Sequence, residues 1–119
     1  MTKAEFVYGA ARLHATALEC PVVPAPWAER EVDFKEQFIV LIDDLCSGKR
    51  EFRGYEAAHD SWMEKCFKMG WKYGKHYDIE NRRHTDLVPY NDLDPREKVK
   101  DEVFVRLVEI ARDCIWEGV

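Results

Sequence analysis

The chain has 119 residues, 46% hydrophobic and 34% charged, with a formal net charge of −5. That length fits one domain with a real core, but not a deep active-site cavity with several supporting layers. The acidic balance argues against nucleic acid polymers as the ordinary partner, because a phosphate backbone calls for a basic face.

The segment from Met1 to Leu18 carries Glu5, Arg12 and His14 and does not read as a signal peptide. No stretch approaches the length of a transmembrane helix, so the expected location is cytoplasmic, away from membranes. Cys20, Cys46, Cys66 and Cys114 are scattered and form no C-x-x-C pair, the usual spacing of structural zinc. Reduced thiols are expected, with Cys46, Cys66 and Cys114 packed on apolar helical stripes.

A first helix is predicted over Lys3 to Leu18, with Ala4, Val7, Tyr8, Ala11, Ala15 and Leu18 on one face. Pro21, Pro24 and Pro26 then impose an extended connector ending at Trp27. A second helix follows from Glu31 to Cys46, burying Phe34, Phe38, Leu41, Ile42 and Leu45 and stopping at Ser47-Gly48. A third runs from Tyr55 to Met69, with Ala58, Trp62, Cys66 and Met69 in line, and Gly70 ends it.

From Trp71 to Leu93 the helical period disappears among Gly74, Asp78, Asn81, Pro89 and Asn91. This predicts a long ordered loop with room for a short β-hairpin, and such loops are often functional. Asp94-Pro95-Arg96-Glu97 opens the last helix with an N-cap, a proline at the first position and a glutamate placed for a capping box. Val103, Leu107, Ile110, Ala111 and Cys114 supply its apolar face. The expected fold is mainly α, a small four-helix bundle around the ordered loop.

Between Lys68 and His84, Lys68, Lys72, Lys75, Arg82 and Arg83 face only Asp78 and Glu80, a net +3 that leaves −8 for the rest. Trp71, Tyr73 and Tyr77 are interleaved with these cations, and Trp62 precedes them. Aromatic faces beside Lys and Arg suit a planar anion: the ring stacks while the cations meet phosphate or carboxylate. The competing reading is that the aromatics are core and the charges a solvated rim. His59, His76 and His84 match no metal-site spacing, so no metal is expected. His84 is expected to fix the loop backbone by hydrogen bonds. No nucleophile with a base and an orienting group can be identified, and neither a phosphate-binding loop nor a dinucleotide fingerprint is present, so no catalysis is expected.

The run His59-Asp60-Ser61-Trp62, then Gly70-Trp71-Lys72-Tyr73-Gly74, then His84-Thr85-Asp86-Leu87-Val88-Pro89-Tyr90, with Leu93, Glu97-Lys98 and Asp101, resembles the RyR domain. This repeat is named after the ryanodine receptor and also occurs alone in bacterial and phage or prophage proteins. The motifs lie in residues 55–115, with residues 1–54 resembling the N-terminal helical extension of stand-alone members. The family usually has proline where this chain has Thr85. The resemblance implies a helical fold with a short β element, no enzymatic activity and no metal or cofactor. In the receptor, paired repeats can hold an adenine nucleotide or drug-like aromatic between them, with the tryptophan matching Trp62 taking part in the stacking.

The leading expectation is therefore a non-catalytic module for a small anionic aromatic ligand, a nucleotide or nucleotide-like signal. Trp62 would stack on the ring, with His59, Trp71, Tyr73 and His84 nearby and Lys72, Lys75, Arg82 and Arg83 supplying charge. The alternative is a protein–protein adaptor presenting Trp27, Trp71 and Tyr73. A single copy of the motif suggests a homodimer with exposed Trp27 or Trp71 at its apolar centre.

Overall fold

The computed structural model describes residues 1–115. Its elements, in order, are α1 (Lys3–Ala17), a 3-10 turn (Trp27–Glu29), α2 (Val32–Ser47), α3 (Tyr55–Lys68), β1 (Lys72–Tyr73), β2 (Arg83–His84), a second 3-10 turn (Tyr90–Asp92) and α4 (Pro95–Cys114). Four helices and one minimal sheet make the fold mainly α, as the sequence periodicity predicts.

Thr2 starts α1 by accepting from the Glu5 amide at 3.1 Å. Its buried face is Ala4, Val7, Tyr8 and Ala15, whereas Leu18 lies past the helix end and is half exposed. The proline-rich connector has no ladder of its own, so side chains from the flanking helices satisfy its backbone. Tyr8 donates to Ala25 O, Arg12 Nε to Pro24 O at 2.9 Å, and Lys100 to Val22 O, while Val22 N donates to Glu97 Oε1 at 2.9 Å.

Helix α2 ends where Gly48 takes φ +82°, a left-handed conformation that favours glycine. Ala4, Val7, Ile42, Val108 and Ala111 form a core shared by α1, α2 and α4, with Phe6, Trp27, Phe38, Leu45, Phe104 and Leu107 around it. Trp27 sits in a cluster with Tyr8, Phe34 and Phe38, ring centroids 5.4 to 6.5 Å apart. The apolar face of α4 differs from the expected one. Ile110 and Cys114 are exposed, and Phe104, Val108 and Ala111 turn inward, because α4 packs against α1 and α2 on one side and α3 on the other.

A second core, Cys66, Trp71 and Leu87 with Trp62, Met63, Met69, Tyr77 and Ile79, joins α3 to the loop. The expected hairpin is instead a parallel pair, Lys72 with Arg83 and Tyr73 with His84. The chain reverses earlier. Asp78 and Arg83 exchange both backbone bonds at 2.9 Å, the Asp78 carboxylate accepts from Asn81, and Arg82 sits at φ +51°. From there Arg83 and His84 run alongside β1 in the same direction. A Cβ on Gly74 would lie 2.8 Å from Arg83 Cβ, so this close passage requires glycine. Arg82 then reaches back to α2, bonding Asp33 at 2.8 and 3.1 Å and tying the second core to the first.

Asp94 caps α4 as predicted, accepting from the Arg96 amide at 2.9 Å. Glu97 does not complete a capping box. Its carboxylate is turned inward and is buried, bonding Val22 N and meeting Lys100 Nζ at 2.6 Å.

Candidate functional site

Between the two cores lies a cleft of about 220 Å³. Tyr8, Phe34 and Phe38 line one wall, and Trp62, Met69, Trp71, Tyr77 and His84 the other; Asp86, Glu97, Lys100 and Asp101 also line it. Helix α4 packs against α1, α2 and α3, whereas any contact of α3 with α1 or α2 is marginal, which leaves space between the two cores.

Trp62 is half buried in the second wall, in contact with two imidazoles. The His59 ring stacks on it at 5.4 Å and 30°, and His84 meets it edge-on at 4.9 Å and 77°. Helical spacing puts His59 and Trp62 on one face of α3. His59 is buried; its Nε2 donates to Val88 O at 2.7 Å, which leaves Nδ1 facing Asp101 Oδ2 at 3.7 Å. His84 accepts the Asp86 amide on Nδ1 at 3.0 Å, so in the neutral ring Nε2 carries the proton. Burial, aided by the Lys100 charge, lowers the His84 pKa to about 4. Its expected role of fixing the loop backbone is what the structure shows.

The carboxyl groups are shifted by burial. Burial raises Asp86 to about 8, helped by a hydrogen bond with Glu97. Burial likewise raises Asp101 to about 7, with the Glu97 charge adding and Lys100 opposing. Burial works against Glu97 too, but the Asp86 hydrogen bond and Lys100 outweigh it and hold its pKa below the usual value. Near neutral pH the three groups therefore do not carry a full triple negative charge, and Lys100 offsets part of what remains. At the rim, Lys65 lines the cleft, its pKa lowered by burial and by the neighbouring charges of Arg50 and Lys68.

The structure brings together only part of the residue set read from the sequence. Trp62, His59, Trp71 and His84 line the cleft. Lys72 and Tyr73 are exposed on β1 and do not line it, because the strand faces solvent. Lys75 borders a separate recess with His76, Tyr77 and Asp86. Arg82 is committed to Asp33 and Met69 O, and Arg83 to the carbonyls of Asn81 and Arg82. Neither arginine lines the cleft in this structure, Arg82 being held by its ion pair and Arg83 by the turn. Trp71 is 3% exposed, and Trp27 packs on the first core, so neither forms the exposed patch expected of an adaptor or a dimer centre.

Sequence reasoning missed Asp86, Lys100, Asp101 and Lys65 as site residues, along with the wall from α1 and α2. A signal existed for two of them: Glu97, Lys100 and Asp101 fall at i, i+3 and i+4, one face of α4. Among the described residues, no group of three or more His, Cys, Asp or Glu is placed to hold a metal ion, and no helix is long and apolar enough to cross a membrane.

The family model for the RyR domain matches residues 24–109. The match reaches back into the proline-rich connector and α2, ahead of the motif segment. No solved structure matches the chain.

Proposed function

We propose that this chain, which belongs to the RyR domain family, is a non-catalytic module that binds a flat anionic aromatic ligand, most simply a nucleotide, in the Trp62 cleft. One observation carries the reading: a half-buried tryptophan in contact with two imidazoles faces an aromatic wall across an open cleft. Such a slot favours a planar ring, because offset and edge-on ring contacts add to the burial of apolar area. The volume of about 220 Å³ lies below the ~300–1,000 Å³ typical of sites that enclose a whole drug-sized ligand. The ring is therefore buried and the charged tail stays at the rim. Lys65, which lines the cleft, supplies the positive charge for that tail. This assignment replaces the loop arginines.

A thermal-shift screen of mono- and dinucleotides tests the proposal. A ligand of micromolar affinity, worth about 8 kcal/mol, raises the melting temperature when added well above its Kd. A panel that produces no shift and no calorimetric heat refutes the proposal.

A further inference from the structure

We infer that the outer edge of β1 is a docking site for an extended acidic peptide segment of a partner protein, which adds to the sheet as a third strand. This surface is separate from the Trp62 cleft and does not depend on what the cleft binds. In the two-stranded sheet β1 pairs on one side only, with β2. Lys72 N donates to Arg82 O at 3.0 Å and Gly74 N to His84 O at 3.3 Å. Successive residues of a strand turn their N–H and C=O to opposite sides, so those of Tyr73 point away from β2. There they meet no partner among the described residues, and the Tyr73 side chain is 54% exposed. An unpaired, exposed strand edge is a template for one more strand.

Charge decides which strand fits. Lys72 and Lys75 are exposed, and neither forms an ion pair among the described residues. Arg83 on β2 passes beside Gly74 and adds a further cation to the sheet. The Asp78 carboxylate, a few residues on, is engaged by Asn81 in the turn. Two copies of this chain paired edge to edge about Tyr73 would set their lysines against each other, which disfavours a second copy as the occupant. An acidic strand brings the opposite charge, and bonding to the Tyr73 backbone requires it to be extended. Apolar side chains of the same segment have the half-exposed Tyr73 ring to cover.

Amide-resolved NMR titration with three capped pentapeptides tests this. The first is Glu-Val-Glu-Val-Glu, the second Lys-Val-Lys-Val-Lys, and the third the acidic peptide N-methylated at every residue, which keeps the charge and loses every backbone donor. The acidic peptide should give saturable shifts at the Tyr73 to Lys75 amides and slow hydrogen exchange at the Tyr73 amide. The other two should bind about tenfold more weakly or worse, for want of the backbone bonds or of the opposite charge. Lys72→Glu combined with Lys75→Glu, at two exposed positions with no ion pair to lose, should reverse the preference toward the basic peptide. Equal binding of the N-methylated peptide reduces the contact to charge alone and overturns the inference, as does an unchanged preference in the double variant. Shifts centred on the Trp62 indole, or none at millimolar peptide, overturn it too. Concentration-dependent shifts at Tyr73 without peptide would make the edge a self-association surface and overturn the choice of occupant.

Discussion

Raising the pH from 6.5 to 8 should destabilise this fold, and Asp86→Asn should remove most of the effect. An ordinary aspartate in the unfolded chain ionises near ~3.9, whereas Asp86 holds its proton to about 8 and Asp101 to about 7 in the folded state. Over that interval the folded chain binds more protons than the unfolded one. Stability from these groups is thus fully present below the unfolded pKa and lost as pH rises through the folded values. His84 has the opposite sign: its folded pKa of about 4 is depressed, so its contribution is present above ~6.5 and lost as pH falls. The two effects oppose each other in mild acid. Above pH 6.5 the His84 contribution levels off and the carboxyl groups dominate. One retained proton is worth about 1.4 kcal/mol per pH unit. Asp86 therefore sets an upper figure of about 2 kcal/mol across the window, and sharing of its proton with Glu97 trims this to roughly 1–2 kcal/mol. Urea unfolding followed by tryptophan fluorescence at pH 6.5, 7.25 and 8.0 reads the slope directly. A flat or rising profile in the native chain, or an undiminished decline in Asp86→Asn, refutes the burial-driven account of the cleft.

Trp62→Ala should cost less than the ~3–5 kcal/mol of a fully buried tryptophan, about 1–2.5 kcal/mol by urea titration, because the ring is only half buried. It should weaken adenosine monophosphate binding at least tenfold, since ring stacking is worth ~1–3 kcal/mol; an unfolded variant would make Trp62 a core residue instead. A double-mutant cycle on Asp33 and Arg82, whose side chains are 47% and 29% exposed, should give a coupling of about 0.5–1 kcal/mol that shrinks in salt. A coupling that is unchanged at high salt would contradict a solvent-screened tie between the two cores. In the folded chain Cys114 should react first with a thiol reagent and the buried Cys20 and Cys66 last, Cys66 held as the thiol by a pKa pushed up to about 12. All four should titrate after denaturation; fewer than four free thiols would point to a disulfide.

The helices could be read from the sequence because their signals are local. Gly48 and Gly70 sit at positive φ where the periodicity stops, and Asp94-Pro95 opens α4 as its residue types require. The cleft was less legible. His59, Trp62 and His84 lie close in sequence and meet in space. The salt bridge that spends Arg82, by contrast, joins residues 49 apart, which composition cannot show. The inward charges of α4 were missed for a related reason. Charged residues on a helix ordinarily mark the solvated face, and this face reverses that rule: Glu97 and Lys100 bond the connector backbone, and Asp101 faces the His59 ring. The loop's parallel strand pair was hidden by the tight turn at Asp78 to Arg83, which reverses the chain within six residues and leaves a hairpin-like sequence with a different pairing.

The most direct test of the central claim is a two-dimensional ¹H–¹⁵N NMR titration of the native chain with adenosine 5′-monophosphate, including the tryptophan indole signals. Saturable shifts are expected, centred on the Trp62 indole and on the backbone of His84 to Leu87 and Lys100 to Asp101, with small changes at Lys72 and Tyr73. Shifts confined to the exposed Lys72–Lys75 surface, or no shifts at all at millimolar ligand, would contradict it.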